Sequence, residues 1–343
     1  MSRARIGVFV AVCVVCIVAA VVTISRSTPP GSVETVTAGA SETPTVTAPV
    51  DTVAAVPHLL FRNTRLGPDF GKLSLVAIDD PDGPIATTDM SCERVDFQVD
   101  RGVCLSVSRG AVTSYATVVF DEHFQPIHET ALAGLPSRVR VSPDTKEVVA
   151  PRRPSGDSYA AESFSTRTEL IDLRTGESFG SLEQFSAVKD GEAFQSVDFN
   201  FWGVTFDTDG RTFYATLGTG GHTYLVRGDV ETRSVTVLRD GVECPSLSPD
   251  GRRIAYKKRV PLPDGRIGWR LSVLDLDTLV DHELAETRNI DDQANWLDAD
   301  TVLYALPVAD SGTPTYDTWR VPADGSGEPT RELGGAWSAA VVD

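Results

Sequence analysis

The residues able to do chemistry in this chain are scattered, and their spacing limits what they can do. His58, His123, His128, His222 and His282 form no HExxH or comparable zinc pattern. No G-x-S-x-G nucleophile elbow occurs, so a serine-hydrolase reading lacks its main support. Two basic groups, Arg152 with Arg153 and Lys257 with Lys258 and Arg259, stand out in an acidic chain and suit contact with an anionic group or an acidic protein patch. Asp291 and Asp292 are candidates for a cation, although two adjacent acids lack the oxygen set that calcium needs. No cofactor motif is present, and no catalytic set is assigned. Trp202, Trp296 and Trp337 could form a sugar platform, but Trp296 and Trp337 fall at matching places in a repeat, which favours packing. Cys92, Cys104 and Cys244 cannot all pair within one chain; a local Cys92–Cys104 bridge is possible, and buried free thiols are the stronger expectation.

The elements that must position these residues are short strands in a repeat. An apolar strand after a turn recurs around residues 60, 103, 148, 213, 254 and 302. Each copy is followed by a second phrase, such as WRLSVLDLDTLVDHEL, in which apolar alternation meets an Asp/Gly/Thr bend. Most steps are blade-sized for a four-stranded propeller; the step from 148 to 213 is enlarged and leaves room for a degenerate seventh copy. An inner strand precedes each anchor except the first, as in Val95–Val99, Arg138–Val141 and Asn295–Leu297. A spare copy lies at the far end, where Ala336–Asp343 resembles the segment around Trp296. The carboxyl end is therefore expected to supply the missing inner strand and close the ring, leaving no open edge. The expected fold is an all-β, six-bladed propeller over residues 57–343, closed by the C-terminal strand.

The phrases SPDGRRIAY, DTDGRTFYA, VSPDTKEVVA and LDADTVLYA resemble the WD40-like (PD40) repeats of TolB-type propellers. The resemblance covers the blades alone, because the amino-terminal α/β domain of TolB has no counterpart here. It implies that Ser248, Pro249, Asp250 and Gly251 form a structural turn, with Asp207 and Gly210 in the related turn of another copy. Ser142, Pro143 and Asp144 keep the phrase but place Thr145 where glycine is usual. It also implies an exported bacterial protein.

Before the blades, residues 1–5 are basic and residues 6–24 form an apolar run, IGVFVAVCVVCIVAAVVTI. At 1.5 Å per residue the run reaches about 28 Å, close to the roughly 30 Å hydrocarbon core. Arg3 and Arg5 outweigh Arg26 beyond it, so residues 1–5 are expected in the cytoplasm and the rest outside, anchored in the bilayer through residues 6–24. Secretion after cleavage is the alternative. Residues 25–56, rich in Ser, Thr, Pro, Ala and Val, read as a flexible stalk. The formal charge of -17 disfavours nucleic acid.

Within a propeller the long middle connections and the passages between blades share one face, the expected recognition surface. Arg62–Lys72, Pro151–Phe164, Lys257–Gly268 and Pro307–Tyr316 are such connections, and Lys189–Asn200 and Glu286–Asn295 such passages. The functional expectation is a non-catalytic, membrane-tethered propeller that binds a protein or a cell-envelope component there. The alternatives are hydrolysis or lysis of an envelope carbohydrate at the channel mouth, and a purely structural role.

Overall fold

The computed structural model describes residues 46–109, 112–132, 134–144, 147–153, 166–309 and 312–343. The expected tail and anchor at 1–24 and most of the stalk lie outside these residues. Among the described residues no helix is long and apolar enough to cross a membrane.

The described residues fold into six small antiparallel-based sheets. Sheet 1 runs Ala336–Val342, His58–Asn63, Lys72–Ala77, Ala86–Ser91 from the centre outward. Sheet 2 runs Arg94–Gln98, Arg101–Arg109, Thr113–Asp121, Pro126–Leu132. Sheets 5 (Glu243–Leu247, Arg253–Pro261, Ile267–Asp275, Asp281–Glu283) and 6 (Asn295–Trp296, Thr301–Pro307, Tyr316–Pro322, Thr330–Leu333) follow the same order.

Two sheets depart from the expected four strands. In sheet 3 the inner strand is split into Leu135–Pro136 and Arg140–Val141, both pairing with Glu147–Arg153; Arg167–Asp172 and Ser178–Ser181 complete it. Sheet 4 (Asn200–Phe206, Thr212–Thr219, His222–Asp229, Ser234–Asp240) carries two extra strands on its outer edge. Ser186–Lys189 runs parallel to Ser234–Asp240, and Glu192–Phe194 folds back on it through Asp190–Gly191. This insertion contributes to the enlarged repeat step: among the described residues the surplus covers an open edge instead of forming another sheet.

The inner strands touch in cyclic order, from Ala336–Val342 through Arg94–Gln98, Arg140–Val141, Asn200–Phe206, Glu243–Leu247 and Asn295–Trp296 back to Ala336–Val342. Closure comes from the two ends of the folded region, with His58 opposite Val342 and Asn63 opposite Ala336. Apolar alternation on both faces of each sheet gives six buried clusters, one between each pair of successive sheets. The cluster joining sheets 6 and 1 contains Leu59, Phe61, Leu303 and Ala336. Burying a side chain such as Phe61 contributes about 1.5–3 kcal/mol, so each seam adds several.

The last residues expected in the stalk belong to the folded unit. Thr47 bridges to Ile85, and a short helix, Val50–Ala54, buries Val53 against the cluster of sheets 1 and 2. Cys92 and Cys104 form a disulfide, with Cα atoms 5.4 Å apart, against the expectation of free thiols; Cys244 is free and buried. The local bridge is the alternative that the sequence leaves open. It arises because Cys104 stands opposite Val95, just beyond the turn that Cys92 enters.

The Ser-Pro-Asp-Gly phrase forms a tight turn between inner and second strands. Ser248 Oγ donates to Asp250 Oδ1 (2.5 Å) and accepts from Arg253 N (2.9 Å), while Gly251 takes φ +71°. Gly203 has a different reason to be glycine: a Cβ there would lie 2.4 Å from Cys244 Cα, where the inner strands of sheets 4 and 5 converge.

Candidate functional site

Strand direction divides the ring into two faces. Turns joining first to second and third to fourth strands lie on one, the turn face. Second-to-third loops and the passages between sheets lie on the other, the loop face. At the turn face, carboxylates cap their own turns. Asp121 accepts from Gln125 N (2.8 Å), Asp172 from Arg174 N (2.8 Å), Asp209 from Thr212 N (2.7 Å) and Asp275 from Thr278 N (2.8 Å). The Arg174 side chain holds the Asp172 carboxyl below its usual range, Ser248 does so for Asp250, and the Thr278 backbone does so for Asp275.

The loop face uses the same device in places, with Asp264 accepting from Arg266 N (3.0 Å) and Asp198 from Gly220 N (2.8 Å), and adds a groove. Leu66, Val112, Leu135, Val197, Ile267 and Val308 are each at least 40 % exposed and come from six separate loops, passages or hairpin ends around it. At the turn face Val46, Val56, Val99, Ile127 and Val280 are exposed to the same degree, so the loop face is set apart by its groove and not by exposed apolar side chains alone. Beside Val308, the residues Arg288, Leu306, Pro307, Ala309 and Trp319 line an open groove of about 300 Å³. The Arg288 guanidinium stacks 3.8 Å over the Trp319 ring and is gripped by Glu286 (2.6 Å), so the indole is held in one place.

The basic residues singled out from sequence lie in strands, not loops. Arg152 and Arg153 end the strand Glu147–Arg153, opposite Pro136 and Leu135. Lys257, Lys258 and Arg259 lie inside Arg253–Pro261, and each has an acidic partner. Lys257 is 4 % exposed, with Nζ 2.7 Å from Asp291 Oδ1 and 4.7 Å over the Trp269 ring. Lys258 Nζ reaches Asp281 Oδ2 at 2.8 Å, and Arg259 Nε donates to Glu243, whose other oxygen accepts from Trp269 Nε1 (3.1 Å). Burial pushes the Asp281 carboxyl up, but Lys258, Tyr256 and Arg239 together hold it well below the usual range. The run is therefore a set of internal ion pairs that brace the sheet 5 hairpin.

Asp291 and Asp292 are parted in the same way. Asp291 pairs with Lys257, whereas Asp292 Oδ1 takes Arg94 Nη1 (3.2 Å) and Arg138 Nη2 (3.1 Å). Two guanidinium groups on Asp292 oppose a cation there. Among the described residues no three His, Cys, Asp or Glu side chains gather as a metal set.

Sequence reasoning missed what this passage does. Residues 290–294 are tucked into the channel end. Ile290 and Ala294 are buried, and Gln293 Nε2 donates to Val204 O (3.2 Å) and Pro245 O (2.9 Å). Arg140 reaches across from sheet 3 to Ala294 O (3.1 Å). Charges at alternate inner-strand positions, Arg94 with Asp96 and Arg138 with Arg140, were the available signal, because alternate residues of an inner strand point into the channel. Trp296 is buried as expected, donating to Ser246 O (2.9 Å). Trp337 is only half-buried, stacked between Tyr316 (4.2 Å between centroids) and the Arg94 guanidinium (3.7 Å).

No protein-family model matches the chain, and no curated protein matches it in sequence. Solved structures do match. TolB from Acinetobacter baumannii aligns with a TM-score of 0.56 and 18% identity, over 83% of this chain and 66% of that one. A chain of a nidogen/laminin complex aligns at 0.55 and 10% identity, over 83% and 98%. A puromycin-hydrolyzing peptidase of Mycobacterium tuberculosis aligns at 0.50 and 14% identity, over 81% and 45%. The chain thus spans just under two thirds of that TolB and less than half of the peptidase. At these identities the likeness is one of fold, and the fold is an all-β, TolB-like propeller.

Proposed function

We propose that this propeller is a binding scaffold whose loop face docks a protein. The observation that carries the reading is the open Trp319 groove on that face, with the exposed Val308 at its side. Apolar side chains from separate loops on a rigid ring, with an aromatic residue held in a cleft, suit a protein surface better than a soluble polymer. The nidogen/laminin structure contains a propeller fold in a protein complex, which is compatible with such a role and adds no residue-level support.

In this reading the six sheets are the six blades of one ring, and its PD40-like phrases are the blade turns. Residues 6–24 anchor the chain in the bilayer, with the ring outside the cytoplasm, and the partner is a protein or another component of the envelope. The first described residues lie at the turn face, where Thr47 meets Ile85.

Proximity labelling from the full-length protein in its own envelope tests the reading. Ile267→Asp with Val308→Asp is expected to remove at least one labelled protein that wild type labels. An identical labelled set in wild type and variant would refute docking through this face.

A further inference from the structure

We propose that the small cavity at the centre of the ring is a built site for one monovalent inorganic anion of the halide class, held with one water. The cavity has a volume of about 30 Å³ and is lined by Arg94, Arg138, Arg140, Asp292 and Gln293, among others. A water needs roughly 10–15 Å³ of such space, so the volume accommodates two small particles.

The charge around the cavity is unbalanced. Three guanidinium groups face it, and two carboxylates answer them. Asp292 is shared between Arg94 and Arg138, and Asp96 stands 3.9 Å from Arg140. Asp96 is itself buried, and burial pushes its carboxyl up, which weakens the compensation it gives. At least one positive charge is left over in a region where unpaired charge is costly. Burial, with Arg138 adding to it, pulls Arg94 down to about 9.

Hydrogen-bond accounting points to the same place. Arg138 Nε is buried and has no partner, so a donor is left over. Gln293 Oε1 is buried and unpartnered too, and its amide cannot turn round, because Nε2 already serves Val204 O and Pro245 O. An anion takes the Arg138 N–H; a water beside it donates one proton to Gln293 Oε1 and the other to the anion. Both unsatisfied groups and the surplus charge are then accounted for, which a water pair alone does not achieve.

Thermal melts of the full-length protein, in chloride and in gluconate at matched ionic strength, test the proposal. Chloride is expected to raise the midpoint saturably by about 2–4 °C, since a ligand of the folded state alone adds stability by mass action. Arg138→Gln is expected to flatten this dependence, whereas Asp292→Asn, which removes a lining negative charge, is expected to steepen it. A purely structural role for both residues predicts lower midpoints and no opposite change in slope. If Arg138→Gln does not fold, bromide-soaked crystals of the wild type decide: an anomalous peak within hydrogen-bond reach of Arg138 Nε supports the site. Superimposable melts in the two salts, or water alone at that position, would overturn it.

Discussion

At the turn face, Asp121, Asp172, Asp209, Asp250 and Asp275 are spent on the backbone of their own bends. At the loop face, Ile267 and Val308 stand exposed and the Trp319 groove lies open. The same repeat builds both, so the difference reflects what each connection has to do. A short turn must reverse the chain at low cost, and a carboxylate that accepts two or three N–H groups does this while keeping the face charged and soluble. A long connection keeps some of that duty, as Asp264 does beside Ile267 and Asp198 beside Val197, and still has room to present apolar surface.

The largest effect should come from the element that both faces share. Deleting residues 336–343 removes the inner strand of sheet 1 and opens the seam to sheet 6, and is expected to cost on the order of 5 kcal/mol or more, much of the stability of an ordinary domain. A denaturant melt showing a transition unchanged from wild type would contradict closure by that strand. Next in size is the turn face. Ser248→Ala loses the hydrogen bonds to Asp250 and Arg253 and should cost about 1 kcal/mol, while leaving the proximity-labelled proteins as in wild type. A change in those proteins without loss of stability would mean that the turn face also binds.

A smaller effect follows from pH. His58 is buried beside the closing strand, and burial lowers its pKa from the ordinary 6.5, the Val56 carbonyl opposing. The folded state resists a proton that the unfolded chain accepts. Stability from this group is therefore complete above about pH 6.5 and is lost as pH falls below it. The turn carboxylates Asp172, Asp250 and Asp275, held low in the fold, act in a later window: their contribution is present above about pH 4 and is lost as pH falls through their folded values. Midpoints between about pH 7 and pH 5 should thus fall in wild type and fall less in His58→Gln; equal slopes would remove His58 from the account. The smallest effect on stability is expected from Ile267→Asp and Val308→Asp, within about 0.5 kcal/mol, because these side chains pack little.

Much of the fold is legible in the sequence because period-two alternation and recurrent Asp-Gly bends are local signals. The spare segment at Ala336–Asp343 even reveals how the ends meet. The site is less legible. Lys257, Lys258 and Arg259 resemble a basic loop until Asp291, Asp281 and Glu243 are seen to meet them from other elements, and such pairing is tertiary. Ser186–Lys189 and Glu192–Phe194 contain a readable Asp-Gly hairpin, but nothing local says that it adds to the edge of sheet 4. Asp292 looks like a cation ligand beside Asp291, and becomes the opposite once Arg94 and Arg138 converge on it.

The division of labour between the two faces is tested most directly by placing a photoactivatable cross-linking side chain at single positions in the full-length protein in its envelope. Ile267 and Val308 would be compared with Val99 and Val280, which are also exposed but lie on turns of the opposite face. The account predicts a discrete cross-linked protein from the first pair and none from the second. The same product from all four positions, or a product only from Val99 and Val280, would contradict it.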